Sequence, residues 1–288
     1  MPQRITGHTG LIGILANPIK HSKSPMIHNT AFEALGLDYV YLAFDVEEKD
    51  LPAAVEGLRA MHARGFNVST PYKAAIIPYL DELLPAGRMC GAVNTVVNED
   101  GKLIGTSTDG EGFMRALREE GFDVIGEKVC MLGAGGAGTA ICMQAGLDGV
   151  KELSIFVRKG GKSAAQAEKN ARILNDETSC RATVHYLEDR QELKKELSGS
   201  KLLINATSSG FAGQEAMCPI PDDSFLNPGL IVADVIYNPP VTPLLKMAQE
   251  KGCRTMNGLG MLLYQGAAAF ELWTGKEMPI EAVKQVLR

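Results

Sequence analysis

Lys73 and Asp109 are the residues of this chain best suited to move a proton between substrate and protein. A lysine serves as general acid or base when its surroundings lower its pKa. The competing chemistries are poorly represented. Five histidines (His8, His21, His28, His62, His185) show neither metal-ligand spacing nor a nucleophile partner, and there is no G-x-S-x-G elbow. Proton transfer in an oxidoreductase would therefore fall to Lys73 with Asp109 rather than to zinc. Ser22, Ser69, Asn94 and Tyr237 join them, because all six are read at strand ends, where open α/β sheets bind ligands. Each also has a plain structural reading. A lysine after a proline turn is usually a solvated charge, Asn94 can bond its own backbone, and Asp109 can be a helix cap. Ser24 before Pro25 fits an N-cap followed by the first helical position.

A second constellation could bind phosphate. Lys128-Val129-Cys130-Met131-Leu132 has strand character and runs into Gly133-Ala134-Gly135-Gly136-Ala137-Gly138, after which 139–145 favours helix. Gly133, Gly135 and Gly138 fit G-x-G-x-x-G in the strand-to-helix setting that motif requires. The first glycine makes the turn, the second lets backbone approach a pyrophosphate, and the third lets helix pack on strand. The helix N–H groups and dipole then favour negative charge. A tight turn without a ligand could use the same glycines. The next strand ends at Phe156-Val157 and meets Arg158-Lys159-Gly160-Gly161-Lys162, three cations with no acid. That ending predicts NADP over NAD, with NAD still usable, since an acid there would accept from a ribose 2′-hydroxyl and an arginine suits a 2′-phosphate. A solvated basic turn is the alternative.

The elements that must position these residues alternate. Strands are expected at 11–16, 39–44 and 65–69, with helices from Ser24 to Leu35 and over 49–64, an order that implies a parallel sheet covered by helices. A short helix is expected from Lys73 to Leu84, then strands at 91–97 and 101–104 around an Asp100-Gly101 hairpin signal. A helix over 111–120 leads into the glycine-turn strand. Strands at 153–157, 202–206 and 230–237 and helices at 163–174 and 242–250 continue the pattern, and helices at 261–273 and 280–287 close it. The fold class is α/β with two domains: an N-terminal substrate domain over 1–110, completed by 259–288, and a Rossmann dinucleotide-binding domain over 111–258.

Composition narrows the class. The 288 residues suggest about two domains at roughly 100–200 residues each. Hydrophobic content of 45% can build a sizeable core, and a net charge of −5 argues against a nucleic-acid surface. Six scattered cysteines form no C-x-x-C pair, which points to a reduced, cytoplasmic protein. The start, Met1-Pro2-Gln3-Arg4, lacks the apolar core of a signal peptide, and no apolar run reaches membrane-span length. A homodimer is one of the assemblies the sequence admits.

The chain resembles the shikimate dehydrogenase family in motifs spread over nearly its whole length. His21-Ser22-Lys23-Ser24-Pro25 is similar to the family's substrate-hydroxyl loop, and Asn67-Val68-Ser69-Thr70-Pro71-Tyr72-Lys73 to the segment carrying its catalytic lysine. Gly91-Ala92-Val93-Asn94-Thr95 and Thr108-Asp109-Gly110 match the segments of its substrate-binding Asn and lysine-paired Asp. Asn205-Ala206-Thr207-Ser208 and Tyr237-Asn238-Pro239 match its cofactor half, and 257–262 with Gln265 its closing helix. The resemblance implies reversible reduction of 3-dehydroshikimate to shikimate by NADP(H), a step of aromatic amino acid and chorismate biosynthesis. It implies Lys73 and Asp109 as the catalytic pair, and Ser22, Ser24, Ser69, Asn94, Tyr237 and Gln265 as substrate-binding. Cofactor contacts would come from Gly133, Ala134, Gly135, Gly136, Ala137, Arg158, Lys159, Thr207, Val235 and Gly258. Four positions depart from the family's usual residues: Ser107 for Asn, Ser69 for Thr, Val157 for Asn and Phe211 for Met. Ser69 and the long 159–200 segment are closer to the quinate/shikimate branch, which implies quinate as a second substrate. A non-catalytic nucleotide sensor is the rival from another class, and it would be expected to lose the Lys–Asp pair. An amino-acid or folate dehydrogenase on the same plan is disfavoured by the Ser22/Ser24 loop.

Overall fold

The computed structural model describes residues 5–211 and 213–287, so the Met1-Pro2-Gln3-Arg4 start lies outside them. Two compact units divide the chain: Met1–Thr108 with Gln265–Arg288, and Asp109–Tyr264.

In the first unit, β1 (Gly10–Ala16), α1 (Ser24–Leu35), β2 (Tyr39–Asp45), α2 (Leu51–Ala60) and β3 (Gly65–Val68) alternate as the hydrophobic runs predict. After them come β4 (Glu82–Leu83), α3 (Pro85–Cys90), β5 (Thr95–Glu99) and β6 (Lys102–Thr106). The strand order is β2-β1-β3-β5-β6-β4. β1 pairs in parallel with β2 and β3, but β5 runs antiparallel to both β3 and β6. The sheet is therefore mixed rather than parallel, because a two-residue hairpin replaces a helical crossover. Asp100 and Gly101 carry φ of 51° and 94°, the left-handed pair a type I′ turn needs. The helix expected from Lys73 to Leu84 is not formed. A 3₁₀ turn at Ile77–Tyr79 and the short β4 stand there instead, since Pro78 breaks a helix interior and Pro85 starts the real one. The strand expected from residue 91 starts at Thr95, because Gly91 ends α3 in a left-handed conformation. Leu15, Val55, Phe66, Tyr72 and Ile76 lie in this unit's buried core.

The second unit opens with α4 (Asp109–Glu119) and continues through β7 (Lys128–Leu132), α5 (Gly136–Asp148), β8 (Glu152–Val157) and α6 (Ala164–Glu177). β9 (Arg181–Tyr186) and α7 (Arg190–Ser198) follow, two elements without a clear local pattern in the sequence. Then come β10 (Leu202–Asn205), β11 (Ile231–Asp234), α8 (Pro243–Glu250) and β12 (Arg254–Met256). All pairings in this sheet are parallel, in the order β12-β11-β10-β7-β8-β9. Renumbered within the unit, that is the doubly wound order 3-2-1-4-5-6, with its reversal between β7 and β10. β11 ends at Asp234, so Tyr237 lies beyond the strand rather than within it, and is exposed.

The chain closes with α9 (Leu259–Thr274) and α10 (Ile280–Leu287). The part from Gln265 onward packs into the first unit, where Trp273 is buried and its Nε1 donates to Val96 O at 2.9 Å. Among the described residues, no helix is long and apolar enough to cross a membrane.

Candidate functional site

The first unit joins several candidate side chains through buried hydrogen bonds. Ser24 bonds to the Tyr41 hydroxyl, which donates to Asn67 Oδ1 at 2.6 Å. Burial holds the Tyr41 phenol well above its usual pKa, so it stays a donor, although the Ser24 bond pulls the other way. Asn67 Nδ2 donates to Asn94 O at 2.9 Å and to Thr95 Oγ1 at 3.0 Å. Asn94 Oδ1 accepts from the Thr108 amide at 2.8 Å, and Asn94 Nδ2 reaches Gln265 Oε1 at 3.4 Å. Ser24, Asn94 and Gln265, far apart in sequence, thus belong to one network. Sequence reasoning missed the roles of Tyr41, Thr95 and Thr108 in it. Polar groups inside strands of high burial were the available signal, since buried polar atoms must find partners.

Lys73 is fixed through its backbone. Tyr72, just before it, is buried and donates its hydroxyl to Val46 O at 2.6 Å, and its amide to Ser69 O at 2.8 Å. Lys73 O accepts from the Val93 amide at 2.7 Å, which puts it one residue from Asn94. Ser69, Lys73 and Asn94 therefore gather at the end of β3 by main-chain bonds. Asp109, by contrast, opens the second unit. Ser24 is the first residue of α1, not its cap. Lys23 holds the cap position, and Ser22 Oγ accepts from the Ser24 amide at 3.3 Å.

In the second unit a cleft of about 500 Å³ opens at the sheet's reversal point. Its wall takes residues from the ends of four strands: Gly133–Gly135 after β7, Phe156 and Val157 at the end of β8 with Arg158 just after it, Leu187, Glu188 and Arg190 after β9, and Ala206–Ser209 after β10. Gly133 has φ of 95°, and a Cβ there would meet Ala206 O at 2.9 Å. A Cβ on Gly138 would come within 2.6 Å of Gly133 O, so only glycine lets α5 sit this close to the turn. A Cβ on Gly135 or Gly136 would meet nothing within 4 Å, so the protein's own packing does not require these glycines. They leave space in front of a helix N-terminus, which suits a pyrophosphate.

The remaining wall is braced from below. Asn205 Oδ1 accepts from the Thr207 amide at 3.1 Å and hydroxyl at 2.7 Å, while its Nδ2 donates to Ser209 O and to Asp234 Oδ2. Asp234 also accepts from Thr242, the cap of α8. Burial raises the Asp234 pKa, partly offset by these donors. Of the expected cofactor contacts, Gly133, Ala134, Gly135, Arg158 and Thr207 line the cleft. Gly136 and Ala137 begin α5 behind it, and Lys159 sits in the turn after Arg158. Val235 and Gly258 lie against each other, since a Cβ on Gly258 would overlap the Val235 carbonyl. Ser163, Glu188, Arg190 and Gln214 line the cleft without having been foreseen.

Three of the histidine and cysteine side chains, His28, Cys130 and Cys180, are buried in their neutral forms. His28 is buried, stacks on Tyr41 at 4.4 Å, and its pKa falls to about 3 through burial, so it stays neutral. Burial pushes the Cys130 thiol up to about 12 and Cys180 to about 11, which keeps both unreactive at neutral pH. Among the described residues, no group of His, Cys, Asp and Glu could hold a metal ion.

A doubly wound parallel sheet with a glycine turn and a cleft at its reversal point defines a Rossmann-type dinucleotide-binding protein. Comparison with known proteins narrows the class. Residues 14–96 match the shikimate dehydrogenase substrate binding domain, and residues 258–288 match the shikimate 5′-dehydrogenase C-terminal domain. A protein named shikimate dehydrogenase (NADP(+)) from Listeria monocytogenes serotype 4b is 55% identical over 285 residues, spanning 99% of this chain and 98% of that protein. A quinate/shikimate dehydrogenase from Escherichia coli (strain SMS-3-5) is 46% identical, covering 98% of each. The crystal structure of shikimate 5-dehydrogenase from Listeria monocytogenes in complex with shikimate and NAD superposes with a TM-score of 0.97 at 55% identity, over 100% of this chain and 99% of that one. The chain belongs to the shikimate dehydrogenase family.

Proposed function

We propose that this chain catalyses the reversible NADP(H)-dependent reduction of 3-dehydroshikimate to shikimate, in the cytoplasm. The observation that carries this reading is the 55% identity that runs through both units, with the cleft and glycine turn formed as a dinucleotide requires. When bound, the nicotinamide supplies or takes the hydride. Lys73 gives a proton to the oxygen that becomes the new hydroxyl, and takes it back in the oxidation direction. Asp109 holds the Lys73 ammonium and one substrate hydroxyl. Ser22, Ser24, Ser69, Asn94, Tyr237 and Gln265 bind the carboxylate and the ring hydroxyls. A polyhydroxylated acid needs many fixed donors, and the Ser24–Tyr41–Asn67–Asn94–Gln265 network supports this role by holding Ser24, Asn94 and Gln265 in place. Arg158 pairs with the 2′-phosphate, which favours NADP over NAD.

Use of quinate is a second reading, supported by Ser69 and by the name of the Escherichia coli relative. Quinate carries one more ring hydroxyl beside its carboxylate, and Ser in place of Thr frees the volume of a methyl group, a change worth roughly 1–3 kcal/mol in a pocket. Steady-state assays crossing shikimate and quinate with NADP+ and NAD+ test both readings, on wild type and on Ser69→Thr. The expected order is shikimate with NADP+ first, and Ser69→Thr should depress kcat/KM for quinate several-fold more than for shikimate. Absence of shikimate-dependent cofactor reduction would overturn the main reading; absence of quinate turnover would remove only the second.

A further inference from the structure

The turn between β9 and α7 supplies the part of the cleft that sequence reasoning did not reach. In many dinucleotide folds an acid at the end of the second strand accepts from the adenosine 2′-hydroxyl. Here β8 ends at Val157 and the turn that follows opens with Arg158 and holds no acid, but the neighbouring strand brings one. The ladder between β8 and β9 continues past the strand ends, since the Leu187 amide donates to Val157 O at 3.0 Å. Parallel strands lie about 4.8 Å apart, so residues just after β8 and just after β9 can reach the same ribose. Glu188 Oε2 accepts from the Lys159 amide at 3.1 Å, which ties the acid to the basic turn. The Arg190 amide donates to Glu188 O at 3.1 Å, fixing the next cation beside it.

Three charged side chains, Arg158, Glu188 and Arg190, thus line one wall. Among the described residues, neither arginine makes an ion pair within 4 Å. Asp222 is the acid whose charge reaches Arg190 from farther away. Arg190 is the first residue of α7, where the helix dipole favours an anion, so its position brings the helix no benefit. Ser163, with a hydroxyl free to rotate, lines the same cleft.

We propose that the β9–α7 turn reads the 2′ position of the adenosine ribose. Arg190 acts with Arg158 as a second charged contact to a 2′-phosphate, and Glu188 accepts from a 2′-hydroxyl when the phosphate is absent. Two cations outweigh one acid for a phosphate dianion, while the acid keeps a partner for the unphosphorylated ribose. The site therefore prefers the phosphorylated cofactor and still admits the other. This inference rests on the dinucleotide reading given above and names which residues set its selectivity.

Calorimetric titration of the full chain with adenosine 2′,5′-bisphosphate and with 5′-AMP tests it without turnover. Arg190→Ala should weaken the bisphosphate by about tenfold or more, the scale of one lost hydrogen bond to a charged group, and leave 5′-AMP within about twofold. Glu188→Gln should weaken 5′-AMP several-fold and leave the bisphosphate as tight or tighter. Both side chains are exposed, so thermal melts of the variants should match wild type. Equal losses for both probes in Arg190→Ala, or no loss at all, would overturn the phosphate role. Equal losses in Glu188→Gln would overturn the acceptor role and leave Glu188 only as a brace for the Lys159 turn. A wild type that binds neither probe would sink the dinucleotide reading itself.

Discussion

At the scale of single residues, the proposed chemistry turns on Lys73, whose main chain is fixed by its neighbours. Tyr72 anchors one side of Lys73, and the Val93 amide holds its carbonyl. Replacing the side chain by Ala leaves those main-chain bonds intact, so the loss should be chemical rather than structural. Lys73→Ala is expected to lower kcat by about 100- to 10,000-fold, the usual range for a general acid–base group. Calorimetric binding of adenosine 2′,5′-bisphosphate should be unchanged, because that probe would occupy the second unit. Adding Asp109→Asn should cost little more, since groups acting as one unit are non-additive. Retention of more than half of kcat in Lys73→Ala would remove the lysine from the mechanism.

At the scale of elements, the glycine turn sets how close α5 comes to β7. Gly138 is the tightest point, and the atom that a new Cβ would meet is backbone, which cannot rotate away. Gly138→Ala must therefore move the helix, and overpacking of this kind costs about 1–3 kcal/mol. The N-terminal amides of the helix would face a pyrophosphate bound at the turn, so the expected signature is a raised KM for NADP+ and NAD+ alike with KM for shikimate little changed. A lowered melting temperature should accompany it. Preference between the two cofactors should stay as in wild type, because the proposed 2′ contacts lie on other elements.

At the scale of the whole molecule, stability against acid is tied to an ion pair inside the second unit. Glu196 on α7 is buried, bonds with the Ser154 hydroxyl of β8, and pairs with Lys128 of β7 at 2.7 Å. Burial alone would raise its pKa, but the Lys128 ammonium and the Ser154 hydroxyl win and hold it below the ordinary 4.5. A depressed carboxylate stabilises the fold above its unfolded pKa, and that contribution disappears as pH falls through the folded value. Glu196→Gln should then lose about 1–3 kcal/mol at neutral pH, as a partly buried pair loses one partner. At about 2–4 °C per kcal/mol, melting temperature at pH 7 should drop by several degrees, and the gap to wild type should narrow below pH 4.5. A gap that stays constant from neutral to acid pH would mean that shape, not charge, explains the loss.

The sequence by itself determined what depends on residues a few positions apart. The strand–glycine–helix unit at 128–145, the Asp100-Gly101 hairpin and the residue types of the candidate site loops are local, because turn geometry and close backbone approach are set by single side chains, or by their absence. Only the tertiary structure decided what depends on partners remote in the chain. Asn94 meets Gln265 across 171 positions, and Trp273 meets Val96 across 177. The mixed pairing of the first sheet, the break at Pro78, and the strand and helix that bring Glu188 and Arg190 to the cleft belong to the same group. β9 was not legible because only Ala182 is fully buried in it, so its apolar signal is weak. It forms because β8 offers it a parallel partner over six residues, from Glu152 opposite Arg181 to Val157 opposite Tyr186. A strand recruited by its neighbour leaves little periodicity of its own, and the charges at its end become part of a site only when that neighbour is in place.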